Sequence, residues 1–238
     1  MKLFDFLFKR SNKEFDEKND NISNKNKGEK FEEDLLLKYG DCKSLQNYGL
    51  KILFITDIHN CLAYTEKYLN YLKSIKQEDY DICILLGDLS GADIDEIKKI
   101  IPNEKIFGVV GNHDSKDFLE KNEINNINGK VITIKGIKIA GIMGSNKYKE
   151  GNYGMQTQEE CLQLVENMDS ADILISHDKA YIYDKNDNVH DGLKGITEYI
   201  YKNHIPLHIH GHLHEEFEEI LKNGTKSICL YQIKLLEI

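Results

Sequence analysis

Residues 51–59 read KILFITDIH, a short apolar run that stops on Asp57 and His59. A run this brief and unbroken is expected of a strand buried on both faces. The same form recurs four times. DICILL (81–86) leads into Gly87-Asp88, and KIFGVV (105–110) into Gly111-Asn112-His113-Asp114. DILIS (172–176) leads into His177, and LHIH (207–210) into Gly211-His212-Leu213-His214. Between the first three runs the apolar residues change to helical spacing. Residues 62–76 put Leu62, Leu69, Leu72 and Ile75 on one side. Residues 92–101 do the same with Ile94, Ile97, Ile100 and Ile101, and Pro102 ends them. The chain from Lys51 therefore opens as βαβαβ.

Later residues add antiparallel signals. VITI (131–134) and IKIAGIM (137–143) meet at a Lys-Gly pair and read as a hairpin. Asn223-Gly224 between EEFEEIL and TKSICLY predicts a type I′ turn. Thr157 and Glu160 form a capping box before a helix carrying Cys161, Leu164, Val165 and Met168. Residues 192–203 read as another helix, and QIKLLEI closes the chain as a strand. This is more strand than one flat parallel sheet holds. The expected class is α/β, with two packed mixed β-sheets flanked by helices.

The polar residues cluster where the strands end. In open α/β sheets ligands bind beyond the carboxyl ends of the strands. Five strand ends bearing acids, an amide and histidines therefore point to one shared site. Asp57 and His59 are two residues apart, so at a strand end both face the same way, and His212 and His214 repeat that relation. The donors are carboxylate, imidazole and amide oxygen with no thiolate, which suits Mn²⁺, Fe or Zn²⁺ and excludes a cysteine-type structural zinc. Seven donors exceed the needs of one tetrahedral ion. Two ions sharing one carboxylate would use them all.

The ordered series Asp57-x-His59, Gly87-Asp88, Gly111-Asn112-His113-Asp114, His177 and Gly211-His212-x-His214 resembles the calcineurin-like metallophosphoesterases over residues 50–238. The resemblance implies a double-sheet sandwich and hydrolysis of phosphodiester or phosphomonoester bonds by a metal-bridging hydroxide. It implies two divalent ions, with Mn²⁺ the first expectation. Asp57, His59 and His214 would hold one ion, Asn112, His177 and His212 the other, and Asp88 would bridge them. His113 would be catalytic, facing the substrate phosphate. His190, in the polar loop after His177, either closes over the substrate or belongs to a plain solvated loop. Asp114 and Asp178 read as supports for site residues or as caps. His208 and His210 read as packed or supporting histidines, and His204 as a helix C-terminal residue.

Departures from the family narrow the substrate. Its serine/threonine protein phosphatases carry Gly-Asp-x-x-Asp-Arg-Gly, whereas this chain has GDLSGAD. The resemblance therefore points away from phosphoproteins and toward a small phosphate ester. Some small relatives have Pro-Pro where Asp178-Lys179-Ala180 follows His177. Alternatives on the same fold are a non-catalytic metal-binding scaffold, like the retromer subunit, and a nuclease. A scaffold should have lost ligands, and none is missing.

Composition bounds the rest. The 238 residues carry a net charge of −9, with no overall cationic footprint for duplex nucleic acid. No apolar run reaches the ~18 residues of a membrane span. The start, MKLFDFLFKR, has Asp5 inside its apolar stretch and no small-residue cleavage site, so a secretory signal is not expected. The five cysteines are scattered and form no CxxC pair, which reads as reduced cytoplasmic thiols. Residues 1–47 are charged, Asn-rich and poor in aliphatics beyond the first ten. They read as a mobile extension before a domain spanning 48–238. The apolar and basic start fits partner docking, a frayed end or a membrane-surface anchor.

Overall fold

The computed structural model describes residues 29–59, 61–181 and 190–238. The apolar start of the chain and most of the loop before His190 lie outside these residues. Two mixed sheets stack face to face. The first has the order β13-β1-β2-β3-β4. It contains β1 (Lys51–Thr56), β2 (Ile82–Leu85), β3 (Ile106–Gly108) and β4 (Asn125–Asn126) in parallel, with β13 (Gln232–Glu237) antiparallel to β1. The second has the order β11-β12-β10-β9-β6-β5. Its parallel centre is β6 (Ile137–Ile142), β9 (Ile173–Ser176), β10 (Leu207–His210) and β12 (Lys226–Cys229). Its antiparallel edges are β5 (Val131–Ile134) and β11 (Phe217–Ile220). A short pair, β7 (Ser145–Asn146) and β8 (Met155–Gln156), stands apart.

Strand alternation divides the apolar residues into three layers. Ile52, Phe54, Ile82 and Ile84 meet Ile139, Ile173, Ile175 and Ile209 between the sheets. Leu53, Ile55, Cys83 and Leu85 face outward. They are covered by α2 (Cys61–Tyr64), α3 (Glu66–Ser74) and α4 (Gly91–Lys98) through Leu62, Leu72, Ile94 and Ile97. On the far side, Ala140, Ile142 and Leu174 are covered by α6 (Gln158–Glu166) and α7 (Lys194–Lys202). The expected architecture, helices outside two packed mixed sheets, is the observed one. The helix expected over 62–76 is broken at Thr65, whose extended backbone (φ −125°, ψ 102°) starts α3 as a separate helix. A short helix, α5 (Phe118–Lys121), was not anticipated.

The two hairpin turns differ from each other. Lys135 and Gly136 both take positive φ (51° and 85°), as a two-residue primed turn requires. At Asn223-Gly224 only the glycine does. Leu221 and Thr225 close a longer turn there, in which the Asn223 side chain accepts the Thr225 N–H. The anticipated type I′ turn is therefore absent. Asn223 spends its side chain inside the turn instead.

Part of the N-terminal segment packs on the second layer. A helix, α1, runs through residues 29–39 and buries Leu35 among the residues covering β6 and β9. Tyr201 Oη donates to Glu32 at 2.9 Å, and the Cys42 and Lys43 amides donate to the carbonyls of Asn223 and His204. Among the described residues no helix is long and apolar enough to cross a membrane.

If α1 contributes to the folded domain, Leu35→Ala should lower the unfolding free energy by about 2 kcal/mol, as for a buried leucine at a site that partly collapses. Chemical denaturation checks this. An unchanged midpoint would show that α1 adds nothing to the cooperative unit.

Candidate metal centre

The parallel strands of both sheets end on one edge, and the residues just past them converge there. Five of these residues sit in the left-handed region: Asp57 (φ 53°), His59 (47°), Asp88 (57°), His212 (71°) and His214 (55°). Each such backbone costs of order 1 kcal/mol for a residue with a Cβ and persists only where its surroundings fix it. Five of the nine described non-glycine residues with positive φ are thus gathered at one edge, a concentration typical of functional sites.

Two glycines let the loops close. A Cβ on Gly111 would lie 2.1 Å from Asp88 Oδ1, and one on Gly211 would lie 2.5 Å from Asp57 Oδ2. These positions need glycine because a carboxylate occupies the space of the side chain.

Each central acid has one oxygen tied to the scaffold and one turned inward. Asp57 Oδ2 accepts the Thr56 hydroxyl at 2.6 Å and the His212 N–H at 2.9 Å. Its Oδ1 is buried, has no hydrogen-bond partner and lies 3.4 Å from His214 Nε2. Asp88 Oδ1 accepts the His113 N–H at 2.8 Å. Its Oδ2 lies 3.9 Å from His59 Nε2 and 3.6 Å from His177 Nε2. Ligand atoms of Asp57, His59, Asp88 and His214 all fall within 4.8 Å of one another.

The second half of the set adjoins Asp88. His177 Nδ1 donates to the Leu86 carbonyl at 2.7 Å, so in the neutral ring Nε2 carries a lone pair. That lone pair faces Asn112 Oδ1, itself an acceptor, at 2.8 Å. Two acceptors at this distance call for a cation or a proton between them. The His212 ring is tilted against that of His177, with centroids 4.9 Å apart, and the His190 ring lies 4.9 Å from that of His212. The His113 ring is exposed and edge-on to His59 at 5.4 Å. The structure thus brings all nine sequence-derived site residues to one place.

The buried carboxylates favour positive charge at His177 and His214, whereas burial and the adjoining His214 and His113 rings lower the proton affinity of His59. Burial opposes ionisation of Asp57, but His214, His177, the Thr56 hydroxyl and the His212 amide together hold its carboxyl below the usual range. The Asp57 contact raises the proton affinity of His214. In His177, burial is outweighed by Asp88 and Asp57, and the net shift is also upward. A field that favours protons on these rings also favours a metal cation. The buried unpartnered Asp57 oxygen, the facing acceptors of His177 and Asn112 and the thiolate-free donor set all fit divalent ions.

Asp114 holds the frame. Its carboxylate accepts three backbone N–H groups: Asp88 at 2.9 Å, Leu89 at 3.1 Å and Gly111 at 2.7 Å. It therefore pins the loop after β2 to the loop after β3. Burial and the charge of Asp88 push its own carboxyl up to about 7. Asp93 does similar work further out, accepting Leu62 N–H and capping α4 through Ser90. Thr56, Asp93 and Tyr148, whose hydroxyl lies 2.9 Å from Asn112 Nδ2, drew no attention in the sequence. Of these, only Asp93 carried a signal, the Ser-x-x-Asp pattern of a capping box.

The sequence profile described as calcineurin-like phosphoesterase matches residues 50–216. The chain belongs to that family. Its chemistry is metal-dependent hydrolysis of phosphate esters, and the acid and histidine cluster lies within the matched span. An uncharacterised protein of Haemophilus influenzae is 25% identical over 203 residues, covering 70% of this chain and 84% of that one. Two solved structures share the fold at low identity. TT1561 of Thermus thermophilus aligns with a TM-score of 0.53 at 15% identity, over 79% of this chain and 94% of that one. The phosphopantetheinyl hydrolase PptH of Mycobacterium tuberculosis aligns with a TM-score of 0.55 at 11% identity, over 80% and 97%.

Removing the Asp114 clamp should loosen the centre before it unfolds the domain. Asp114→Ala is expected to weaken divalent-metal affinity ~10–100-fold, the usual scale for groups that orient ligands. Metal titration followed by calorimetry checks this. Unchanged affinity would show that the two loops hold their places without the clamp.

Proposed function

We propose that the protein is a dinuclear phosphohydrolase acting on small phosphate esters, phosphodiesters ahead of monoesters. The observation that carries the reading is that Asp88 Oδ2 lies within 4 Å of both His59 (3.9 Å) and His177 (3.6 Å), with the other oxygen tied back to His113 N–H. A carboxylate held this way can serve two ions at once. Asp57, His59 and His214 then complete one coordination set, and Asn112, His177 and His212 the other. The mixed oxygen and imidazole donors suit Mn²⁺ first. Bound there, two divalent cations neutralise phosphoryl charge and activate a water nucleophile near neutral pH.

The chain's own residues supply position and protons. The Leu86 carbonyl fixes the tautomer of His177, and the Thr56 hydroxyl fixes the rotation of Asp57. His113 is held at the mouth by its backbone bond to Asp88, so its ring is free to meet substrate. It would donate a proton to the leaving oxygen or stabilise charge on the phosphoryl group. His190, beside His212, would also contact the substrate. The run GDLSGAD, lacking the Asp and Arg of protein phosphatases, and the net charge of −9 support a small substrate over phosphoproteins or duplex nucleic acid.

Metal-stripped protein saturated with Mn²⁺ should bind two ions per chain and hydrolyse bis(p-nitrophenyl) phosphate. Asp88→Asn should lower the stoichiometry and abolish turnover. Elemental analysis finding at most one ion in the saturated wild type would sink the dinuclear assignment, and full loading without hydrolysis of any phosphate ester would favour a scaffold.

His113→Ala should keep both ions while turnover falls ~10²–10⁴-fold, the range for an acid or base group. If the role is proton donation, the loss shrinks for a good leaving group such as p-nitrophenolate. A variant that loses an ion, or melts far below wild type, would make His113 a ligand or a folding residue instead.

A further inference from the structure

The loop of residues 147–153, KYKEGNY, joins β7 to β8 and is fastened to the segment that follows Asn112 and His113. Gly154 N–H donates to the Asp114 carbonyl at 2.8 Å, and Lys116 N–H to the Asn152 carbonyl at 3.4 Å. Ser115 and Tyr153 form an isolated bridge. Lys147 N–H donates to Gln156 O, which closes the base of the loop. The loop is therefore placed by the same backbone that places the centre. Its Tyr148 is 42% exposed, yet its hydroxyl reaches inward to Asn112 Nδ2 at 2.9 Å.

The direction of that hydrogen bond decides what Tyr148 can do. An amide nitrogen only donates, so Tyr148 Oη accepts here. Asn112 Oδ1 is turned the other way, toward His177. The phenolic hydrogen is then left over, and no described residue accepts it. It is a hydrogen-bond donor at the mouth of the centre, one amide group away from a proposed ligand atom. Lys149 adds positive charge beside it. Its ammonium lies 5.3 Å from the Tyr148 ring centroid and 4.0 Å from that of Tyr153, with no carboxylate partner among the described residues. The neighbouring Lys147 is already paired with Glu150.

We propose that Tyr148 is a substrate-contacting residue, whose hydroxyl donates to a non-bridging phosphoryl oxygen on the Asn112 side of the site. The assignment rests on the metal reading above, because a metal-bound Oδ1 is what keeps the Asn112 amide turned with its NH₂ toward Tyr148. The hydroxyl recognises the phosphoryl group that every substrate of this class shares. Specificity for the rest of the ester lies elsewhere.

The probe is inorganic phosphate, titrated calorimetrically into Mn²⁺-loaded protein, with metal content measured alongside. Tyr148→Phe keeps the ring and removes only the donor. It should retain both ions and lose roughly 10–100-fold in phosphate affinity, the scale of one hydrogen bond to a charged oxygen. kcat/KM for bis(p-nitrophenyl) phosphate should fall alongside. Unchanged phosphate affinity in Tyr148→Phe overturns the proposal. So does a variant with weakened Mn²⁺ binding but normal phosphate affinity at saturating metal, since Tyr148 would then only orient Asn112. Wild-type protein that binds phosphate equally well without metal would overturn the metal reading first, and the proposal with it.

Discussion

Three aspartates, Asp57, Asp88 and Asp114, are almost wholly buried at one edge of the two sheets. Burying carboxylates this densely is unfavourable unless each finds donors or cations. The fold answers with backbone N–H groups, which are fixed in direction and cannot relax away. Three go to Asp114, one to Asp88 and one to Asp57. Those bonds join the loop after β1 to the loop after β10, and the loop after β2 to the loop after β3, and Asp57, Asp88 and His212 take left-handed backbone there. What remains after the donors are spent is an inward-facing oxygen on Asp57 and on Asp88, ringed by imidazoles. The centre is the uncompensated remainder of that arrangement, and a divalent cation is the group that completes it.

Much of the fold was legible because parallel strands buried on both faces leave an unmistakable pattern. KILFIT, ICILL and DILIS cannot be amphipathic surface elements, and their helical partners follow the usual spacing. Where the reading failed, a local conformation overrode a regional pattern. Thr65 adopts an extended backbone inside a periodic apolar stretch and divides one helix into two. Asn223 uses its amide to accept Thr225 N–H, which replaces the expected primed turn. The Lys135-Gly136 pair takes that turn although lysine is an unfavourable residue for positive φ, because β5 and β6 leave only two residues to close the hairpin.

At the site, the residues that point inward were legible and those that hold them were not. Donors such as Asp57 or His214 advertise themselves by type and by position just past a strand. Supports do so only when their partners are close in sequence. Asp93 caps its own helix, but its bond to Leu62 spans 31 residues. Asp114 looks like part of the motif it follows, yet two of its three bonds reach back to the β2 loop. Tyr148 sits in a polar loop of ordinary composition, 36 residues from the amide it meets. Contacts of that kind are made by topology and leave no local trace.

Five histidines lie between residues 204 and 214, and they take three different physical roles. His204 follows α7 in left-handed backbone and donates to the Asp41 carbonyl, so it ends a helix and ties down the segment after α1. His212 and His214 lie past the strand in the centre. His208 and His210 point to the outer face of β10, away from the sandwich core occupied by Leu207 and Ile209. There, Ser176 donates its hydroxyl hydrogen to the Asp178 carbonyl, so His208 Nε2 must donate to Ser176 Oγ, and its Nδ1 must accept from Ser227. This neutral line crosses β9, β10 and β12 side by side. Burial and the neighbouring ring hold His208 well below the ordinary histidine range, and burial carries His210 down to about 4. Both rings thus stay uncharged behind a centre that attracts cations. A proton there would oppose the metal charge from the rear. The line also ties down Asp178, the residue after His177, because its carbonyl is one of the acceptors. The inner face of β10 thus packs the core, its end supplies donors, and its outer face steadies the neighbouring strand from which another donor comes.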